Sequence, residues 1–434
     1  MTQVYQGEIE SRDAPVMAET SEWLDGLRRR AADRFAAVGF PTSRDEEWRF
    51  TPVAPIARTA WREAPASASV TLDQLGPYLF GHLEWTRLVF VNGVYRQELS
   101  SIPPAARGVR VGSLAQALRD GLPTLERHLG RQAGVESSPF TAMNTAVFQD
   151  GGFIQVPTNT ELDHPFHLIF VSTDEAAACA VHPRNLLLVE RGARASFIES
   201  YVTTGSAGNY WTNPVTEVVV DANCWVEHTR IQRESERAYH IGGTYVAQQR
   251  DSHYRSFSLS MGGALARHNL QACLNDENVE TLLYGLYLTH RDQLVDNHTA
   301  IHHDQPNCRS WEVYKGILDD RSRAVFNGKV FVKPEAQKTD AKQTNRNLLL
   351  SDGARVDTKP QLEIFADDVK CTHGATVGRL DDIALFYARS RGVPAEEAQR
   401  LLTYAFAAEV IGEVALEPVR RELERLVKER LGAR

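Results

Sequence analysis

The 434-residue sequence has only five cysteines, Cys179, Cys224, Cys273, Cys308 and Cys371, odd in number, scattered, and without a Cys-x-x-Cys pair. That excludes a disulfide framework and a self-contained four-cysteine zinc or cluster site. Any metal held here must borrow ligands from far along the chain or from another chain. Long apolar runs are also missing. The longest are short ones such as Thr281 to Leu288, far below the roughly 18 residues of a membrane span. Positive charge is in deficit: the net charge is −8 and no Lys/Arg cluster is interleaved with aromatics, so there is no footprint for nucleic acid and no field favouring an acidic membrane. No Gly-x-Ser-x-Gly elbow and no Gly-x-x-x-x-Gly-Lys-Ser/Thr loop occurs, which argues against a serine hydrolase and against an ATPase. Met1 to Met17 is polar and lacks the apolar core of a signal peptide, so a cytosolic setting is expected.

What is present divides into three regions. Residues 1–140 read as mixed α/β. A helix is expected from about Ser21 to Val38, with Trp23, Leu24, Leu27, Ala31 and Phe35 near one face and Gly39-Phe40-Pro41 as its stop. Pro41 to Pro52 reads as a loop pinned by Trp48 and Phe50, Leu88 to Val94 as a strand and turn, and Ser113 to Leu129 as helical despite Pro123.

From residue 141 to 378 β-branched and alternating segments dominate, and polar turns recur near Gly192, Asp221, Asp251, Asp276, Asp319 and Asp352. Most intervals are about 25 to 32 residues, with one longer gap divided by Arg291-Asp292. That regularity predicts stacked coils, a β-helix whose inward face includes Leu186, Leu188, Val218 and Val220, with a β-sandwich as the alternative. Phe326-Asn327-Gly328-Lys329 reads as an Asn-Gly turn between strands.

Residues 379–434 turn helical. Asp381 to Ser390, a helix opened by Pro394, and a charged helix from Pro418 follow one another. The apolar stripe of the middle helix, with Leu401, Leu402, Phe406 and Val410, must pack on the solenoid end or on a partner.

Two groups could carry chemistry. Within Lys370-Cys371-Thr372-His373, an extended backbone puts Cys371 and His373 on one face, a thiol beside an imidazole. An inert buried cysteine beside a hydrogen-bonded histidine is the plain alternative. The densest histidine cluster is His290, His298, His302 and His303 with Asp304. His298 and His302 share a face of a strand, as metal ligands could, but no His-Glu-x-x-His motif supports them. A metal-dependent enzyme would use His298, His302 and Asp304. Paired acids such as Asp367-Asp368 and Asp381-Asp382 sit at corners or helix starts, where capping accounts for them.

Longer motifs carry a resemblance. Asp296-Asn297-His298-Thr299, Pro306 to Ser310, Tyr314-Lys315-Gly316-Ile317-Leu318, Ala336 to Ala341, Lys359 to Ile364, Cys371 to Gly378 and Phe386 to Gly392 closely resemble the SufB/SufD family of iron–sulfur cluster assembly proteins. Glu47-Trp48-Arg49-Phe50-Thr51 and the His373-Gly374 pair are similar to its SufD branch. The resemblance implies a mainly β fold, a right-handed parallel β-helix flanked by N- and C-terminal helical regions, and a non-enzymatic scaffold role. It implies pairing with a SufB-like paralogue through the β-helices and docking of a SufC-like ABC ATPase on the C-terminal helices. It further implies a transient cluster or iron site shared between chains, with His373 first and Cys371 second as its residues here, and a reduced flavin at the level of the complex. A purely structural partner that stabilises SufB without donating ligands is the rival reading.

Overall fold

The computed structural model describes residues 21–65, 67–103, 108–205 and 208–432; the polar segment Met1 to Met17 lies outside them. Its centre is a parallel β-solenoid of about seven turns, so the fold is mainly β with flanking helices. The major strands are β1 (Gly152–Val156), β2 (Phe166–Ser172), β3 (Arg184–Val189), β4 (Arg194–Thr203), β5 (Val215–Val220), β6 (Trp225–Arg233), β7 (Tyr239–Gln248) and β8 (His253–Ser260). They continue as β9 (Leu265–Leu274), β10 (Glu280–Thr289), β11 (Leu294–His303), β12 (Arg309–Leu318), β13 (Arg323–Val332), β14 (Asp340–Leu349), β15 (Arg355–Ile364) and β16 (Lys370–Gly378). Odd strands pair with odd and even with even, giving two facing sheets. The even sheet begins inside the N-terminal region, where Thr86–Val91 pairs in parallel with β2.

Corners between strands need left-handed backbone, and short polar residues tolerate it most cheaply. Asn223, Asp251, Asn278, Asn307 and Asp320 all have positive φ, as do Arg291 and Lys338. The polar turns predicted from spacing are therefore these corners. In-register stacking then lines the interior with ladders such as Leu187, Val218 and Val246, continued by Ala272 and Ile301.

Leu186 and Leu188 do not belong to that interior. They pack with Leu24, Leu114, Leu125 and Phe148 of the N-terminal region, while Leu187 and Val189 point inward. Both faces of β3 are buried, so apolar character could not tell them apart. Ser113 to Leu129 is two short helices, Leu114–Arg119 and Pro123–His128, because Pro123 opens the second one. Helix α1 (Glu22–Val38) matches its expected face, with Leu24, Leu27, Ala31 and Phe35 buried.

The Asn327-Gly328 turn is likewise replaced by strand, since both residues lie in the middle of β13. Gly328 faces the lumen, where an added Cβ would come within 2.3 Å of Gln343 Nε2 and 2.9 Å of Phe326. It is there for space. Two reciprocal pairs follow the same rule: Tyr314 lies over Gly285, and Tyr287 over Gly316.

Helices α2 (Asp382–Ser390), α3 (Ala395–Ile411) and α4 (Glu417–Gly432) close the chain. Residues of α3 and α4, including Ala407, Val410, Leu423 and Val427, pack sideways on Ile231, Phe257, Leu286 and Ile317 of the even sheet. They cover a wall of the solenoid and leave its end uncovered. Among the described residues, no helix is long and apolar enough to cross a membrane, a statement about helices only.

Gly328→Ala is expected to cost about 1–3 kcal/mol by overpacking, read as a lower urea midpoint at unchanged slope. An unchanged midpoint would contradict the packing. A second expectation concerns acid. His167 and His303 are buried against Ser200 and Ser310, and burial first, then the neighbouring charge of Arg87 or His302, pushes each down to about 3. Unfolded histidine titrates near 6.5, so the stability these two contribute is present above that value and lost as pH falls toward about 3. Burial pushes Glu227 and Glu312 up to about 7, which acts oppositely and is lost as pH rises. A His303→Gln chain is therefore expected to lose less Tm between pH 7 and pH 5 than the parent; equal losses would contradict the assignment.

Candidate functional site

The solenoid ends on two strands with no successors, β15 at the end of the odd sheet and β16 at the end of the even one. Each pairs along one edge only, so the other edge carries unpaired backbone N–H and C=O groups. Every residue of β16 except Cys371 is exposed.

The register of β14 with β16 sets Ala341 opposite Cys371 and Gln343 opposite His373. Gln343 points inward, because its amide reaches the space left by Gly328 on the facing sheet. Cys371 and His373 therefore continue an inward column and line the rim of the open end. The predicted alternation is confirmed in its geometry: the thiol and the imidazole share a face.

Their environments differ. Cys371 is half-buried beside Val330, Val332, Ala341 and Leu362. Burial pushes its thiol up, nearby Asp340 adds to this, and a backbone hydrogen bond from Ala341 opposes it. A thiol is a ligand and a nucleophile only as thiolate, so Cys371 is reluctant in the isolated chain. His373 is exposed on the outermost strand. Two donors cannot complete the coordination of a cluster, and among the described residues no group of three or more His, Cys, Asp or Glu side chains could hold a metal ion.

His298 and His302 lie on the outer face of the odd sheet, away from this rim. His298 stands between Glu47 Oε2 at 3.1 Å and Asp296 Oδ1 at 3.0 Å. Asp296 is fully buried, and Arg267 with His298 outweighs that burial to hold its carboxyl below the usual range. Arg267 donates to Asp296 at 2.8 Å and to the Glu47 carbonyl at 2.6 Å, and stacks 3.7 Å from the Trp48 ring. Thr51 also donates to Asp296. The Glu47-to-Thr51 motif is thus a clamp that fastens the N-terminal region to β9 and β11. Trp48 is buried as expected, whereas Phe50 is exposed at the edge of a cavity of about 350 Å³ lined also by His298 and Lys359. His302 packs on Phe331, His303 is interior, and Asp304 pairs with Lys333 at 2.9 Å.

The helix stripe also divides. Val410 is 1% exposed and packs on the solenoid wall, so it is not free for a partner. Phe406 shields Lys315, whose ammonium donates to the Phe406 carbonyl at 3.0 Å and to Glu409 at 2.5 Å. Leu402 is intermediate, and Leu401 is exposed. The larger apolar surface is on α2, where Ile383, Phe386 and Tyr387 are 78%, 73% and 60% exposed. Asp381 caps that helix, accepting from the Ile383 N–H at 2.8 Å. The stripe expected to dock, on α3, is thus less exposed than these three side chains of α2.

The fold is thus a parallel β-solenoid with lateral helices and an uncovered last coil that carries Cys371 and His373 on its inward face. Residues 170–406 match the model of the SUF system FeS cluster assembly SufBD core domain, and residues 1–168 that of the SufBD protein N-terminal region. The chain is 34% identical to an iron–sulfur cluster assembly SufBD family protein of Synechocystis sp., over 98% of this chain and 96% of the relative. It is 33% identical to the iron–sulfur cluster assembly protein SufD of Escherichia coli, over 92% and 91% of the two chains. With SufD of Bacillus subtilis the identity is 26%, over 94% of each. The chain belongs to the SufBD family of iron–sulfur cluster assembly proteins.

Cys371 is expected to alkylate with iodoacetamide more slowly than free glutathione at pH 7.5, the gap narrowing as pH rises. A rate equal to glutathione at neutral pH would contradict a thiol held protonated by burial.

Proposed function

We propose that this chain is a scaffold subunit that supplies half of a cluster-assembly site and meets a SufB-like paralogue at the open solenoid end. The observation that carries this is the rim itself: His373 and Cys371 face inward on a last strand with no successor. An exposed strand edge is a template for another chain, and a paralogous solenoid would present a matching one. The nascent cluster or iron is cargo, held by His373 first, by Cys371 once a partner's field favours its thiolate, and by the paralogue's donors. ATP-driven movement in the complex would open the shared site.

A SufC-like ATPase docks on the C-terminal unit, and the surface that supports this is Leu401 with Ile383, Phe386 and Tyr387. Lys315 ties α3 to β12, so a load on the helices reaches the solenoid. A reduced flavin is assigned to the complex rather than to this chain alone. The purely structural reading remains the rival, because only two residues bear the chemistry.

Co-expression with both partners and anaerobic purification separate the readings. His373→Ala is expected to preserve the complex on size exclusion and to lose most of its iron and sulfide. Full iron and sulfide in an intact variant complex would leave the structural role alone standing.

A further inference from the structure

The two open edges are unequal. In a parallel ladder a residue turns both its backbone N–H and its C=O to one side, and the residues before and after it turn theirs to the other. The Arg355 N–H donates to the Ser322 carbonyl at 3.0 Å and the Phe365 N–H to the Val332 carbonyl at 2.9 Å. Along the unbroken register of β13 with β15, the odd-numbered residues of β15 therefore face β13. Val356, Thr358, Pro360, Leu362 and Ile364 face the free edge. Proline has no N–H, so this edge lacks a donor at its centre. On β16 the Lys370 N–H donates to the Thr339 carbonyl at 2.8 Å, and the register runs unbroken to Gly378. The free edge of β16 is carried by Cys371, His373, Ala375 and Val377, each with a donor and an acceptor.

Seen from their open ends, two solenoids of one hand circulate in the same sense, so when their last coils meet, the strands in contact run antiparallel. In an antiparallel pair, residues that exchange N–H···O=C bonds stand directly opposite, with Cα atoms roughly 5.5 Å apart and side chains on one face. A strand bonded to the backbone of His373 thus sets its own side chain beside the imidazole. We propose that the paralogue adds its strand along β16, and that Pro360 is the specificity-determining residue that withholds β15. The donors that complete the site then come from the residues opposite Cys371 and His373. Proline on an edge strand, with its nitrogen toward solvent, blocks the addition of another strand, and here it stands on one of the two edges. The inference rests on the reading of the open end as the meeting surface, and it names which edge is used.

The test is residue-resolved hydrogen exchange of the full chain, alone and in its one-to-one complex with a SufB-like paralogue. The amides of Cys371, His373, Ala375 and Val377 are expected to slow by at least about tenfold on pairing, and those of Thr358 and Leu362 by less than about twofold. In Pro360→Ala the odd edge regains its donor, and Thr358 and Leu362 are expected to slow in the complex as the β16 amides do. Ala375→Pro removes a donor that the isolated chain does not use. It is expected to keep the parent's circular dichroism and to pair about tenfold more weakly. Thr358→Pro, the same change on the other edge, is expected to pair within about twofold of the parent. Equal slowing of both strands in the parent complex overturns the inference, as does parent-like pairing by Ala375→Pro. Unchanged exchange at Thr358 and Leu362 in Pro360→Ala overturns the role given to Pro360. A complex that keeps its His373-dependent iron while the β16 amides exchange freely overturns the inference alone. Absence of any complex overturns the scaffold reading and the inference together.

Discussion

A parallel solenoid cannot finish itself. Each coil satisfies its backbone by pairing with the coil before and the coil after, and the last coil has only the one before. In this chain β15 and β16 are that last coil, and the C-terminal helices that could have covered them lie along the even-sheet wall instead. The cost of two exposed edges is tolerable in water, where solvent satisfies the free groups, and it leaves a templating surface. Cys371 and His373 stand on that surface, and two donors are too few to close a coordination sphere.

The same alternation that places His373 also explains the short motifs. In Tyr314-Lys315-Gly316 the tyrosine and glycine face the lumen, where Tyr314 lies over Gly285 and Gly316 makes room for Tyr287. Lys315 between them points out, fully buried under α3, and binds its carbonyl and Glu409. One three-residue segment thus packs the interior and anchors the helical unit. The Glu47-to-Thr51 motif does the equivalent on the opposite wall, where a buried Arg267–Asp296 pair is completed by groups from the N-terminal region. Breaking one member would strand a buried charge, at about 3–5 kcal/mol, so both flanking regions are fixed to the solenoid by ions rather than by apolar contact alone.

Much of this was legible in the residues. Corner spacing followed from polar residues that tolerate left-handed backbone, α1 from its apolar period, and the shared face of Cys371 and His373 from a two-residue repeat. What escaped was whatever depends on register between coils. Leu186 and Leu188 were placed inside because β3 is buried on both faces. Gly328 looked like a turn because its reason, the Gln343 amide, lies on the other sheet. Val410 looked available because the wall that covers it, Ile317 and the strands before it, is distant in sequence.

The rim is proposed as half of a site that a paralogue completes. The most direct measurement is anaerobic iron binding by the isolated chain and by its one-to-one complex with a SufB-like paralogue, with iron-edge X-ray absorption on each. The isolated chain is expected to hold iron weakly and substoichiometrically. The pair is expected to bind it tightly, with a nitrogen ligand that disappears in His373→Ala. Stoichiometric iron held by the isolated chain, or an unchanged ligand set in the variant pair, would contradict the half-site proposal.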